Sequence, residues 1–97
     1  MPKVHELKTW PQMFQDVKSG TKNFEYRKND RDFQVGDALI LKEFNPAIQM
    51  YSGDTITVKI TYLLQGIAAI RVGVPEGFCI MGISPNQKIH EDSQARL

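Results

Sequence analysis

The stretch at residues 55–64, TITVKITYLL, decides the fold of this chain. Apolar residues at positions 56, 58, 60, 62 and 64 alternate with polar ones at 55, 57, 59 and 61. Because successive side chains of a strand point to opposite faces, this pattern predicts a β-strand with one buried and one solvated face.

Further strands are predicted on both sides of this stretch, at residues 4–8, 21–28, 38–44 and 78–84. The pair Asn45-Pro46 breaks the third of them, and Ser52-Gly53-Asp54 predicts a second turn. Residues 65–77 include an apolar run that is broken by flanking glycines and Pro75, so we expect a loop that can include a short turn of helix.

One early helix is predicted at residues 10–18. Thr9 can cap its first turn, where Pro11 is tolerated, and Gly20 suits a left-handed C-terminal cap. Trp10, Phe14 and Val17 recur at helical spacing and predict a single apolar face.

These elements predict a mainly β (α+β) fold, a small β-barrel with one N-terminal helix packed against it. The domain is expected to span residues 1–84. Residues 85–97 are polar and without apolar periodicity, so they predict a flexible C-terminal tail.

Composition narrows the class of protein. A chain of 97 residues fits one domain, and its single cysteine, Cys79, offers neither an internal disulfide nor metal-ligand spacing. No cofactor is therefore expected, and Cys79 is predicted to be a buried hydrophobe. We find no signal segment or membrane span, so a soluble cytoplasmic protein is expected. The net charge of +1 argues against strong non-specific binding of nucleic acid.

Basic side chains are concentrated between residues 18 and 31, a segment that contains five cationic residues and only two carboxylates. Phe24 and Tyr26 lie among them, and cations interleaved with aromatic rings can hold phosphates and stack bases. The period-two pattern favours another interpretation, in which Phe24 and Tyr26 share a buried strand face. The cations of this cluster are Lys18, Lys22, Arg27, Lys28 and Arg31.

Glu25 and Arg27 are two residues apart on one face of the same predicted strand, so their side chains can meet. The planar fork of Arg27 suits a phosphate or carboxylate, although a structural ion pair is an equal alternative. His5, with Glu6 and Lys8, is a candidate proton carrier, and a structural histidine is the favoured alternative.

The string GTKNFEYR at residues 20–27 follows the pattern G-x-K-x-x-E-x-R. With His5-Glu6-Leu7-Lys8 before it and Val35-Gly36-Asp37 after it, residues 4–84 resemble the ASCH domain. More narrowly, they resemble a small bacterial and phage family within that group. The resemblance implies a PUA-like barrel whose cleft, where the helix meets the barrel, is lined by Lys22, Glu25 and Arg27.

Some ASCH proteins are amidohydrolases that act on acetylated cytidine. This chain resembles them at Lys22, but Glu25 stands where they have a threonine nucleophile, and Glu76 is the nearest match to their second glutamate. A carboxylate cannot replace a hydroxyl nucleophile directly, because the acyl-enzyme would be a mixed anhydride. Glu25 is instead expected to be ionised and paired, and able to accept hydrogen bonds or act as a general base.

Three functions follow as hypotheses. The first is a module that binds RNA or a nucleotide through a ligand site of seven residues. The second is a small hydrolase of a modified nucleoside, with Lys22 and Glu25 as its catalytic pair. The third is a protein-interaction module of phage origin. The predicted ligand-binding residues are His5, Lys8, Lys22, Glu25, Arg27, Lys28 and Arg31.

Overall fold

The computed structural model describes residues 1–84 and the backbone of residues 88–90. The chain forms six strands and two helices in this part. In chain order they are β1 (Val4–Thr9), α1 (Pro11–Lys18), β2 (Phe24–Lys28), β3 (Ala38–Asn45), β4 (Met50–Leu64), α2 (Gly66–Arg71), β5 (Phe78–Ile83) and β6 (Lys88–His90). None of the helices in the described residues is long and apolar enough to cross a membrane.

Strand β4 organises the sheet. Its first half pairs antiparallel with β3, and its second half pairs antiparallel with β5, with a register shift between Ile60 and Tyr62. The strands lie in the order β1-β3-β4-β5-β2, with β1 parallel to β3 and β6 paired to β4. The alternation at residues 55–64 therefore predicted the strand that the two halves of the sheet share, and Ile56, Val58 and Ile60 are buried as expected. Tyr62 was expected on the same buried face, but it is exposed, because the register shift after Ile60 exchanges the two faces of the strand.

A closed barrel was predicted, but the described strands form a mixed sheet that is not closed. Strands β1 and β2 lie at the two ends of the strand order and do not pair with each other. On the edge of β1 that does not pair with β3, the carbonyl oxygens of Glu6 and Lys8 accept hydrogen bonds from arginine side chains. In a closed barrel they would accept them from the backbone of another strand. Side-chain contacts thus occupy the positions that a barrel would fill with backbone hydrogen bonds.

The core contains Phe14 and Val17 of α1, Phe33 of the loop after β2, and the inward residues of the strands. Two of the three residues predicted for the apolar helix face are therefore buried. Trp10, the third, is the N-cap residue and is exposed, and Thr9 belongs to β1 and does not cap the helix. Gly20 has the left-handed conformation predicted for it, with φ of 84°.

Two further predictions differ from the structure. Ser52-Gly53-Asp54 was expected to be a turn, but it lies inside β4, where Gly53 takes a φ of 95° that allows the strand to continue past an irregular register. Residues 66–71 form the regular helix α2, where only a helical turn was expected. Of the predicted C-terminal tail, residues 88–90 pair with β4, and the rest lies outside the described residues.

Candidate functional site

A cleft of about 450 Å³ lies where the end of β1, the start of α1 and strand β2 meet. This volume lies in the range typical of small-molecule sites. The cleft adjoins the gap between the two end strands of the open sheet. Its lining residues are Lys8, Thr9, Trp10, Met13, Lys22, Phe24, Glu25, Tyr26 and Arg27.

Glu25 forms the base of this cleft. Only 3% of the residue is exposed, and it lies opposite Met81 of β5. One carboxylate oxygen accepts a hydrogen bond from Lys22 Nζ at 2.7 Å, and the other accepts one from Arg27 Nε at 3.0 Å. A buried carboxylate is tolerated when it is paired with cations and hydrogen-bonded in this way. The predicted contact between Glu25 and Arg27 is therefore present, and Lys22 completes it.

Arg27 also connects the two end strands. Its Nη2 donates to the Lys8 carbonyl oxygen at 2.9 Å and to Thr9 Oγ1 at 3.2 Å, so β2 is joined to β1 through one guanidinium. Arg31 makes a similar connection, because its Nη1 donates to the Glu6 carbonyl oxygen at 2.7 Å. We call these contacts the arginine seam. Both arginines thus have a structural role beside any role in binding.

Phe24 and Tyr26 were expected in the core, and this prediction is wrong. They are 46% and 47% exposed, while Glu25 between them is buried. The alternation of β2 was recognised correctly, but its inward face is the charged one. The reason is that Glu25 is paired with cations on both sides, so burying it beside Met81 leaves no uncompensated charge.

The cleft offers hydrogen-bond donors beside apolar rings. Lys22 Nζ donates to the Phe24 carbonyl oxygen and to Glu25, which uses two of its three donor positions. Arg27 Nη1 has no hydrogen-bond partner among the described residues. The three charges sum to +1 at the cleft floor, and Lys8 adds a further cation at the rim. This arrangement suits an anionic ligand that also carries a flat apolar group.

Glu25 itself is poorly placed to act on a ligand. Both of its oxygens already accept hydrogen bonds from cations, and its side chain is 4% exposed. Its expected roles as an acceptor for a base edge, or as a general base, would require these contacts to break. In this structure Glu25 positions Lys22 and Arg27.

His5 lies in the interior and does not line the cleft. Its Nε2 is 2.8 Å from Asp37 Oδ2, and its ring makes an edge contact with Phe33. Asp37 also accepts backbone hydrogen bonds from Lys3 and Gln34. The structural interpretation of His5, which the sequence analysis favoured, agrees with this position.

Asp37 is the titratable group that this environment shifts. Burial raises the pKa of Asp37, but the hydrogen bonds from Lys3, His5 and Gln34, together with the charge of His5, outweigh it and hold the pKa below its usual value.

The structure brings together four of the seven predicted ligand residues: Lys8, Lys22, Glu25 and Arg27 line the cleft. Lys28 and Arg31 are not among its lining residues, and neither is His5. Lys8 extends its ammonium over the Phe44 ring, with Nζ 4.5 Å from the ring centroid.

Thr9, Trp10 and Met13 line the cleft without having been predicted to do so. The sequence placed Thr9 and Trp10 at the start of a helix, and Met13 lies within that helix, next to Phe14. Thr9 Oγ1 is the aliphatic hydroxyl among the lining residues, and it already accepts a hydrogen bond from Arg27.

Cys79 is fully buried in the core, as predicted. Burial raises the pKa of its thiol, and the charge of Asp30 raises it further. Both effects oppose formation of a thiolate, so the residue is a poor nucleophile. In the described part of the chain, no three His, Cys, Asp or Glu side chains are grouped so as to hold a metal ion.

Comparison with known proteins defines the class to which this fold and cleft belong. Residues 4–83 match the model of a domain family of unknown function, DUF3850, and the chain belongs to this family. The match includes every described residue that lines the cleft.

A relative in Escherichia phage P2, described as an uncharacterized 12.9 kDa protein in the GpA 3' region, is 38% identical over 61 residues. That match covers 63% of this chain and 54% of the phage protein, so the chain spans about half the length of this relative.

Proposed function

We propose that this protein is a binding module for RNA or a nucleotide, of the ASCH and PUA-like kind, and that the ligand occupies the cleft beside Glu25. The observation that carries the proposal is the pairing of partly free cationic donors, Lys22 and Arg27, with the uncovered rings of Phe24, Tyr26 and Trp10. Phosphate and base are the two groups that such a surface can hold together.

The geometry supports binding better than hydrolysis. An amidohydrolase needs an accessible nucleophile or base, and the buried Glu25 is held by two cations. Thr21, the hydroxyl next to Lys22 in the chain, is hydrogen-bonded to Ser19 Oγ at 2.9 Å and does not line the cleft. We therefore expect no efficient deacetylation of acetylated cytidine, and we expect the protein to act in the cytoplasm.

A thermal-shift screen against nucleosides, nucleotides and short RNAs tests the proposal. A ligand that binds only the folded state raises the melting temperature by mass action. The ligand that gives the largest shift is then titrated against wild-type protein and variants. Absence of any shift across the three classes of compound would contradict the proposal.

Substitutions at two cleft residues test whether the ligand binds in the cleft. Trp10→Ala removes an exposed ring without a hydrogen bond among the described residues, so we expect affinity to fall by about 1–3 kcal/mol with little change in stability. Arg27→Ala should weaken binding by a similar amount, about 1–3 kcal/mol. Because Arg27 also belongs to the arginine seam, its unfolding free energy must be measured beside its affinity.

Matched controls lie outside the cleft. Lys59→Ala removes an exposed cation from β4, and Ile48→Ala removes an exposed apolar side chain from the turn between β3 and β4. Both should bind as wild type does. If Lys59→Ala weakens binding as much as Arg27→Ala, the contribution is general electrostatic attraction and the cleft assignment is wrong.

A further inference from the structure

The half of the sheet that carries β2 exposes a second surface, on the side opposite the core. We call it the outer face. Three of its aromatic residues are strongly exposed, with Phe24 at 46%, Tyr26 at 47% and Tyr62 at 61%. It is formed by outward residues of β2, β5 and the second half of β4: Phe24, Tyr26, Lys28, Phe78, Ile80, Gly82, Tyr62 and Leu64.

Gly82 separates two of these rings. In the strand register it pairs with Phe24 on one side and with Tyr62 on the other, so the three positions form a row across the strands. A Cβ atom at position 82 would lie 3.2 Å from Tyr62 Cβ and 3.3 Å from Thr61 Oγ1. The glycine therefore gives Tyr62 its room and leaves a shallow space between two exposed rings.

Tyr26 lies in the next row of the outer face, and its ring is held in one orientation. Its ring is stacked on Phe78 at a centroid distance of 5.4 Å and an angle of 19°. One side of the Tyr26 ring is thus supported by the protein, while nearly half of the residue is exposed. A flat group that stacks on this ring meets a surface that is already ordered, which lowers the entropic cost of binding.

Lys28 is the one charged residue among the eight strand positions of the outer face, and its charge is positive. None of its eight strand positions carries a carboxylate, and Lys28 lies in the same column as Phe24 and Tyr26. Lys22 Nζ lies 4.8 Å from the centroid of the Phe24 ring, at the border with the cleft. Exposed rings beside cations, without acidic residues, are typical of surfaces that hold a polyanion with stacking groups.

The outer face is continuous with the cleft, because Phe24 and Tyr26 belong to both. A chain of nucleotides with one unit in the cleft would therefore meet Phe24 and Tyr26 first and Tyr62 next. Tyr62 is exposed, lies outside the cleft and is separated from Phe24 by Gly82, so its ring is placed where a following base would stack.

We infer that the outer face is a stacking surface for single-stranded nucleic acid, and that the ligand of this protein is a strand of several nucleotides rather than a free nucleotide. The inference rests on the proposed function, since it extends the strand from the cleft. A protein partner is the alternative for an exposed apolar face. The charge of the face and its continuity with the cleft favour the polynucleotide.

The test compares ligand length and a residue that lies outside the cleft. Affinities are measured for the four ribonucleoside monophosphates and for random-sequence RNA and DNA of eight nucleotides, by fluorescence anisotropy and competition. Tyr62→Ala is the test variant, because Tyr62 is exposed and does not line the cleft. Tyr62→Phe is the matched control, since it keeps the ring and loses only the hydroxyl.

We expect the eight-nucleotide strands to bind at least tenfold more tightly than the monophosphates. Tyr62→Ala should weaken the strands by about 5- to 100-fold, the effect of losing one base–aromatic stack. Tyr62→Phe should bind as wild type does, and the monophosphates should not distinguish the three proteins. RNA and DNA that bind alike indicate stacking and phosphate contacts, whereas a preference for RNA adds a contact to the 2′-hydroxyl.

Several results would overturn the inference. If monophosphates bind as tightly as strands, or if Tyr62→Ala leaves strand affinity unchanged, the outer face is not used and the proposed function stands alone. If the wild type self-associates in sedimentation experiments and Tyr62→Ala abolishes this without changing strand affinity, the face binds protein. If neither class of ligand binds, the proposed function itself is wrong.

Discussion

Two buried carboxylates in this small domain are held in different ways. Asp37 accepts two backbone hydrogen bonds and one contact from His5, and Glu25 accepts only side-chain hydrogen bonds, from Lys22 and Arg27. The groups that hold Asp37 belong to the N-terminal segment and to the loop before β3. The groups that hold Glu25 line a cleft and keep unused donors there. A buried charge thus indicates a candidate site when its partners, and not the charge itself, reach a ligand.

The largest effect is expected when Asp37 is changed. Asp37→Asn replaces one acceptor oxygen with a donor, which then faces the N–H groups that Asp37 satisfied. Unsatisfied buried donors make this costly, so the unfolding free energy should fall by about 3 kcal/mol in urea titrations. Affinity for a cleft ligand should not change in the protein that remains folded. A loss of affinity without a loss of stability would show that Asp37 contributes to binding and not to the stability of the fold.

In the wild type, acid should remove the contribution that ionised Asp37 makes to the unfolding free energy. The pKa of Asp37 is lowered on folding, so the native state binds fewer protons than the unfolded state as pH falls through the pKa of an unfolded aspartate. The stabilisation is complete above that pH and is lost as pH falls through the lower pKa of the folded state.

Urea titrations at several pH values check this prediction. The difference in unfolding free energy between wild type and Asp37→Asn should be constant near neutral pH and should shrink below about pH 4. A difference that grows on acidification would show that the sign is wrong.

A smaller effect on stability is expected at Glu25. Glu25→Gln leaves Lys22 and Arg27 without their anionic partner, but both side chains are partly exposed, at 16% and 26%, and can regain water. We expect a loss of about 1–2 kcal/mol in unfolding free energy. Affinity for an anionic ligand should rise several-fold and become more sensitive to salt, because the local charge increases by one.

The salt dependence gives the sharpest contrast between the two carboxylates. Asp37→Asn should leave the slope of log affinity against log salt unchanged, whereas Glu25→Gln should steepen it. Equal slopes in both variants would mean that Glu25 and Asp37 have the same structural role.

The smallest effect is expected from the arginine seam. Arg31→Ala removes the hydrogen bond to the Glu6 carbonyl oxygen, which water can replace because Arg31 is exposed. Stability should fall by less than about 1 kcal/mol, and ligand affinity should change little, since Arg31 does not line the cleft. Binding that weakens as much as in Arg27→Ala would return Arg31 to the ligand site, where the sequence had placed it.

Local pattern was sufficient for most of the secondary structure. The alternation of residues 55–64 predicted the shared strand β4, and the spacing of Phe14 and Val17 predicted the buried side of α1. Both elements follow the period of their side chains as far as Ile60, because the apolar residues of one face pack in the core. Beyond Ile60 the register shift of β4 exchanges the faces, and the local pattern did not predict that Tyr62 is exposed. The alternation of the predicted strand likewise indicated that Glu25 and Arg27 meet, because residues two apart on a strand share a face. Lys22, which lies before β2, was placed beside them only by the resemblance to the ASCH domain.

Which face of β2 is buried was decided by tertiary structure. By local pattern, Phe24 and Tyr26 belong inside, but Glu25 finds Lys22 and Arg27 as partners once β2 lies beside β5, and its burial then costs little. The open sheet was decided in the same way, since Arg27 and Arg31 occupy the carbonyls of β1 that another strand would need. Alternation determines which residues share a face, but only the packing of β2 against β5 and the core determines which face turns inward.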